Sequence, residues 1–383
     1  MIAAAFYICG FFNYPTPLHL LVITFYVIIG IQIVYCLAFI IAISTQQEKG
    51  KPKSLPVSVI VCAHDEENNL RELIPILLAQ DHVEFEIVIV DDRSNDATVD
   101  LLLKETAKDH RLKMVRIDRT PPHANSKKYA LTMGIKAARY EWILLTDADC
   151  RPAGNAWIST MSSRFGNATE FVLGYSPYLE KSGILNAFIR FETLLTAIQY
   201  ISFALLGNPF MGVGRNLAYR KSMFFNAKGF NNALQVTGGD DDLFVNQHAH
   251  GNNTAVCFTV PSQVFSIPES TWGTFYKQKV RHLSVGKRYR FSHQLLLGVF
   301  SITWILTWFI GIPLIFFSFN NYVVAGLLLL RMILVTLTIR VFAGKLGQKF
   351  EIWIIPLLDF IYAFYYLVTG LRALVISKVE WKN

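Results

Sequence analysis

The chain is poor in charge, in acid and in paired cysteine. Of its 383 residues 17% are Asp, Glu, Lys or Arg, against about a quarter in ordinary soluble proteins. The shortage is local. Leu18 to Ile43 and Gln294 to Phe319 contain no charged residue at all, and each run is long enough to cross a bilayer as a helix. Asn321 to Ala343 and Ile352 to Ser377 are apolar with isolated charges, so four spans are expected. The five cysteines (Cys9, Cys36, Cys62, Cys150 and Cys257) form no CxxC pair, which argues against a disulfide framework or a zinc ribbon and fits a reducing compartment. Met1 to Pro17 has no positive n-region and no cleavage signature. It reads as the start of an uncleaved anchor, with Met1 to Phe12 too short to span and expected in the interface. Basic charge exceeds acidic, for a net +8, yet no nucleic-acid module accompanies it, so nucleic acid is not the expected partner.

What remains between the runs looks globular. The expected organisation is an N-terminal apolar segment and anchor over 1–53, a catalytic-type domain over 54–290, and C-terminal spans over 291–383. Lys49, Lys51 and Lys53 follow the first span, and Lys277, Lys279, Arg281, Lys287, Arg288 and Arg290 precede the second. Basic flanks favour the cytoplasmic side and an anionic leaflet. The domain is therefore expected in the cytoplasm at the inner (plasma) membrane, with the N-terminus outside. Lys378 and Lys382 would lie outside if all four spans crossed, against that trend. Arg331 and Asp359 fall inside spans and are expected to form a buried pair. Ile184 to Gly207 is apolar but holds Arg190 and Glu192; an amphipathic helix at the bilayer surface is favoured over a span.

Within the domain, β-branched runs alternate with helical patterns. Leu55–Cys62, Phe85–Val90, Lys113–Ile117 and Trp142–Thr146 read as strands, with helices over Leu70–Gln80, Ala97–Lys108 and Lys127–Ala138. Alternation of this kind gives a parallel α/β sheet with right-handed crossovers, and such sheets bind ligands at the carboxyl ends of their strands. Three of the strand ends carry acids: Asp65 and Glu66, Asp91 and Asp92, and Asp147 with Asp149. Residues two apart on a strand face one way, so Asp147 and Asp149 can share a hard cation with a substrate's phosphates. One acidic turn is ordinary; three at one edge mark a site.

The order and spacing of Val57–Glu66, Val90–Asp96, Lys127 with Ala130-Leu131, and Asp147-Ala148-Asp149 resemble the family 2 glycosyltransferases of the GT-A fold, over roughly Ser54 to Arg290. The resemblance implies a nucleotide-sugar donor, a UDP-sugar foremost, with Mg²⁺ or Mn²⁺ as cofactor. It places Ala63, Glu66, Asp91 and Asp92 at the nucleoside, Lys127 near the phosphate or base, Asp147 near ribose and Asp149 on the metal. His64-Asp65 departs from the family's Tyr-Asn. Gly212-Val213-Gly214-Arg215-Asn216 is similar to a stretch that borders the acceptor site. Its glycines allow close backbone approach to a ligand, and Arg215 and Asn216 are expected there, although a plain hairpin turn is nearly as good a reading.

Gly238-Gly239-Asp240-Asp241-Asp242-Leu243 reads either as a helix cap or as the source of a general base. The resemblance makes Asp240 the base. Gly239 stands where many relatives have an acid, which leaves Asp241 as a substitute. Gln278-Lys279-Val280-Arg281-His282 is similar to the Gln-x-x-Arg-Trp motif. Gln278 and Arg281 share a helix face, Arg281 can neutralise a leaving diphosphate, and His282 replaces the aromatic associated with the acceptor sugar. The expected function is membrane-bound, inverting glycosyl transfer to a lipid or lipid-linked acceptor in cell-envelope biosynthesis. A processive β-polysaccharide synthase is the alternative, and an inactive membrane scaffold a distant third.

Overall fold

The computed structural model describes residues 16–46, 55–231, 234, 236, 238–318 and 320–376. The expectations for Met1–Phe12, for Lys49, Lys51 and Lys53, and for Lys378 and Lys382 lie outside the described residues.

The alternating pattern folds as expected. Strands β1 (Val57–Ala63), β2 (Phe85–Asp92), β3 (Leu112–Ile117) and β4 (Trp142–Asp147) are joined through helices α2 (Glu67–Leu78), α3 (Thr98–Thr106) and α4 (Ser126–Ala137). These four strands pair in parallel in the order β3-β2-β1-β4. The sheet then continues antiparallel through β7 (Leu217–Arg220) and β6 (Phe171–Gly174), and ends on β8 (Thr254–Cys257). A small second sheet pairs β5 (Cys150–Pro152) with β9 (Val264–Ser266). In the parallel register Ala63 lies beside Asp91 and Cys62 beside Asp147, so the acidic strand ends do share one edge.

The sheet is apolar on both faces, as parallel strands must be. Val57, Val59, Val61, Ile87, Ile89 and Leu144 pack on one side with α2 and with α5 (Trp157–Ser162). Ile60, Val88, Val90, Ile143 and Leu145 pack on the other, in one continuous core with α4 and α6 (Ile184–Leu205) that also includes residues of the long apolar helices. Those helices are α1 (Thr16–Thr45), α10 (Phe291–Phe317), α11 (Asn321–Lys345) and α12 (Ile355–Val375). Shorter helices α7 (Lys221–Asn226), α8 (Asp242–His248) and α9 (Trp272–Val285) complete the order. Among the described residues five helices, α6 included, are long and apolar enough to cross a membrane.

Helix α6 is not the surface helix expected. It is 72% buried within the protein over its most apolar stretch, against 28–39% for the other four. It lies between the sheet and the membrane helices, and its two charges are satisfied inside the fold. Glu192 pairs with Lys279 of α9 at 2.5 Å. Arg190 pairs with Glu180 at 3.2 Å and donates to the Lys349 carbonyl at 2.8 Å. The expected Arg331–Asp359 pair forms between α11 and α12, with the guanidinium 4.3 Å from the ring centre of Trp304 on α10.

Candidate active site

The β1–α2 and β2–α3 turns are latched to each other. The Asp65 carboxylate accepts from the backbone N–H of Asn95 at 2.6 Å and of Asp96 at 3.3 Å, and the Asp65 N–H donates to Ser94 Oγ at 3.0 Å. Asp65 and Arg93 hold positive φ (55° and 61°), uncommon for residues with a Cβ, and the latch is what fixes them. His64 Nδ1 lies 2.6 Å from the Asp92 carbonyl oxygen. A carbonyl only accepts, so Nδ1 carries the hydrogen, and a histidine here ties the two turns together. Asp92 pairs with Arg93 at 2.8 Å, Asp91 is 1% exposed, and Glu66 accepts from Asn69 at 2.6 Å. Ala63, Glu66, Asp91 and Asp92 thus converge on one rim of the sheet edge.

At the end of β4 the charges meet. Lys127, in the first turn of α4, places its ammonium 3.0 Å from Asp147 Oδ1 and 3.7 Å from Asp240 Oδ2. One cation therefore joins the first acid of the Asp-x-Asp to the carboxylate nearly a hundred residues later. Burial works against that charge, but Asp147 and Asp240 hold the Lys127 ammonium well above the ordinary lysine pKa. Burial also works against the charge of the half-buried Asp147, and Lys127, Arg215 and Arg281 keep it below the usual carboxylate range. The ligand atoms of Asp147, Asp149 and Cys150 lie within 4.8 Å of one another. Burial raises the Cys150 thiol well above its ordinary pKa, and its Sγ lies 3.4 Å from Asp149 Oδ1 as donor. The set is thus two carboxylates and a neutral thiol, which fits a hard oxygen-seeking cation better than zinc.

The loop carrying Asp240 is pinned from α4. Asn125 N–H donates to the Leu234 carbonyl at 2.9 Å, and Lys128 Nζ to the Val236 carbonyl at 2.8 Å. Gly238 and Gly239 then take φ of 81° and 71°, and a Cβ on Gly239 would lie 2.9 Å from Leu243 and Val285 side-chain atoms. No acid fits there, which accounts for the departure from the family pattern. Asp241 is differently occupied: Oδ2 accepts from Gly214 N–H at 2.6 Å and Oδ1 from Asp242 N–H at 2.8 Å. Burial, and then the Asp240 charge beside it, push its carboxyl up to about 6.

Two expected acceptor residues part company. Arg215 lies over the Tyr178 ring at 4.7 Å and donates to the Ser176 carbonyl at 3.2 Å. The Tyr178 hydroxyl in turn reaches Gln278 Oε1 at 3.4 Å. Asn216 is fully buried: its amide donates to the Tyr175 and Ser262 carbonyls (2.8 and 2.7 Å) and accepts from Trp157 Nε1 at 3.0 Å. It fastens β7 to its surroundings and has nothing left for a ligand. The close approach at Gly214 is likewise to protein, since a Cβ there would lie 3.0 Å from Asp241 Oδ2. Gln278, Arg281 and His282 ride on α9. His282 is exposed there, beside the charges of Lys279 and Arg281.

Sequence reasoning missed Lys128, the Asp65–Ser94 latch, Tyr178 and the Lys279–Glu192 pair. Lys128 had a signal. Leu131 and Ile135 are buried on α4 at i+3 and i+7 from it, so the second lysine of the pair falls on the apolar face and must find a buried partner.

The fold and site define a GT-A glycosyltransferase, and the comparisons agree. The description "Glycosyl transferase family group 2" matches residues 142–368 and "Glycosyl transferase family 2" matches residues 58–225. The chain belongs to the family 2 glycosyltransferases. It is 24% identical over 239 residues to a poly-beta-1,6-N-acetyl-D-glucosamine synthase of Staphylococcus epidermidis, covering 59% of this chain and 53% of that one. A second such synthase, from strain RP62A, is 23% identical over the same length. The chain thus spans about half the length of these curated relatives. Among solved structures it resembles a mannosyltransferase of Pyrobaculum calidifontis in complex with GDP-Man and Mn²⁺, at TM-score 0.57 and 13% identity, over 92% of this chain and 96% of that one. That likeness shows the fold.

Proposed function

We propose that the protein is a membrane-bound inverting glycosyltransferase acting on a nucleotide-sugar, a UDP-sugar foremost, at the cytoplasmic face of the inner membrane. The observation that carries the reading is the single Lys127 ammonium facing both Asp147 and Asp240, because it brings a donor-side carboxylate and a free-standing carboxylate to one point. The nucleoside lies along the rim formed by Ala63, Glu66, Asp91 and Asp92. Asp149, with Asp147, holds Mg²⁺ or Mn²⁺, which when bound supplies Lewis-acid neutralisation of the diphosphate. Asp240 accepts the proton of an acceptor hydroxyl as its oxygen forms a bond to the anomeric carbon, and the bond from that carbon to the phosphate oxygen breaks. Arg281 meets the charge left on the nucleoside diphosphate. Both Asp241 oxygens are spent on backbone N–H groups, which favours Asp240 as base. Arg215 and His282 face the acceptor.

The acceptor proposed is a lipid or lipid-linked sugar of the cell envelope, because the core beneath the site is continuous with the membrane helices. The processive reading has one observation of its own, the two synthase relatives. Product sizing separates them: a ladder of polymer from purified enzyme supports the synthase, and a single addition supports the lipid acceptor. The reading as a whole is tested by nucleoside diphosphate release from protein in lipid nanodiscs, with a panel of nucleotide-sugars and either metal. Metal-dependent release with one donor, lost in Asp149→Asn and Asp240→Asn, is the expected result. No release with any donor and added lipid extract would leave the scaffold reading.

A further inference from the structure

The four apolar helices do not all cross the membrane. Helix α1 and the catalytic domain fix the direction of the others. Gln32 of α1 bonds to Thr303 of α10 at 2.7 Å, and Tyr35 to the Leu296 carbonyl at 2.9 Å. Later residues of α1 therefore meet earlier ones of α10, and the two run antiparallel. Since α1 leads into the domain and α10 leaves it, α10 ends on the far side. Helix α11 returns. Its last turn reaches the domain, where Gln263 Nε2 donates to the Leu346 carbonyl at 2.7 Å.

From there a fourth crossing would carry the chain away again, but the contacts of α12 run the other way. Phe360 packs on Trp308 of α10 (5.3 Å) and Tyr362 on Trp304 (5.8 Å), while the Tyr366 hydroxyl faces Ser301. Phe364, one turn beyond Phe360 on its face, stays beside Phe309 (4.8 Å). At the end of the helix the Ile376 carbonyl accepts from Lys287 Nζ at 2.9 Å, and Lys287 precedes α10 on the domain side. Across its length α12 is antiparallel to α10. It starts deep, with Asp359 on Arg331 in the middle of α11, and finishes beside the domain. At 21 residues it rises about 30 Å.

We infer that α12 is a re-entrant helix: the chain dips into the membrane through residues 346–354 and comes back out on the side it entered from. The described helices cross three times, and the chain emerges from Ile376 on the side of the catalytic domain. Two further observations support this. Non-helical backbone at membrane depth survives only where protein satisfies it. Here Leu346 and Lys349 are fastened at the point of entry by Gln263 and Arg190, and the deeper Ile352–Ile354 forms a 3-10 turn in which the Ile354 N–H donates to the Glu351 carbonyl at 3.2 Å. The exposed Arg372, in the last turn of α12, also joins Lys287, Arg288 and Arg290 on one side, which removes the conflict with the positive-inside trend. The partner of the outer face is lipid: Leu357, Phe364, Val368, Leu371 and Val375 are exposed along one stripe. The inner face supports α9, with Tyr365 stacked on Phe275 at 5.5 Å.

The test is thiol accessibility in the full-length protein in sealed membrane vesicles of one orientation. One variant carries Tyr322→Cys, at the exposed start of α11; another carries a cysteine appended after Asn383. A membrane-impermeant maleimide is applied from the face on which protease digests the catalytic domain, and labelling of the unsubstituted chain is subtracted. The appended cysteine is expected to label and Tyr322→Cys to be protected, with the pattern reversed from the other face. If the appended cysteine behaves as Tyr322→Cys does, α12 is a fourth crossing and the inference fails. An epitope in place of each cysteine, read by protection from protease, decides the same question should either thiol react poorly.

Discussion

Gly239 offers a test in which two neighbouring glycines should behave differently. Both Gly238 and Gly239 have left-handed φ, where a Cβ costs about 1–2 kcal/mol. At Gly238 that is the whole cost, because the nearest atom to a new Cβ is 3.5 Å away. At Gly239 the Cβ would meet three side-chain atoms of Leu243 and Val285 at 2.9 Å, adding the overpacking cost of about 1–3 kcal/mol. The chain can absorb this in two ways. Either the loop holds and the folded state loses about 2–5 kcal/mol in total, or the loop shifts and Asp240 leaves Lys127. Thermal unfolding in nanodiscs reads the first and nucleoside diphosphate release reads the second. Gly239→Ala should lose clearly more than Gly238→Ala in at least one of them, and Gly239→Glu, which restores the family's acid, should be worse still. Equal behaviour of the two alanine variants would refute the steric argument. Full activity and stability in Gly239→Glu would show that the loop has room for an acid.

Removing Lys279 alone leaves the buried Glu192 without a cation, a loss of about 3–5 kcal/mol; Lys279→Met with Glu192→Leu should recover most of the lost thermal stability, as a double-mutant cycle will show. Arg331→Ala and Asp359→Ala should each lower folded yield for the same reason, and unchanged expression and activity in both would remove any role for the pair. Lys128 contributes a pH dependence of definite sign. Burial lowers its pKa to about 8 from the usual value near 10.5, so between those values the unfolded chain holds a proton that the folded chain has released. Stability from this group therefore rises with pH across that window, and Lys128→Met should flatten the unfolding profile there. Asp149→Asn should weaken nucleoside diphosphate binding in Mn²⁺ by at least about tenfold, roughly one charge-assisted contact, while leaving binding in chelator unchanged by calorimetry.

The strands and the strand-end acids were legible because both rest on local pattern. Trp142–Asp147 needs only its apolar run to be a central strand, and register then brings Asp147 to the edge beside Cys62. What failed were residues whose role depends on distant partners. Arg190 and Glu192 read as solvent-facing charges, yet their partners are Glu180, Lys349 and Lys279, and no local periodicity announces them. Asn216 follows two glycines and invites a ligand, but its amide is spent on Tyr175, Ser262 and Trp157, one near in sequence to another element and none near to it.

The same distinction explains where the chemistry is held. Asp147 ends a strand that the core sets rigidly and Asp149 stands in the turn that follows it, whereas Asp240 stands on a loop whose hydrogen bonds, among the described residues 234–241, include ones to α4, to Gly214 and to the start of α8. Lys127 and Lys128 divide that task between adjacent positions on one helix. The first faces the acids, and the second turns into the core and holds the loop by a carbonyl. Because α4 also packs against β1 and β2, any displacement of the Asp240 loop is referred to the same helix that stands over the parallel strands. The Asp147 edge and the Asp240 loop are thus tied through one short helix. It follows that Lys128→Met should lower the turnover number before it raises the donor KM, whereas Lys127→Met should change both.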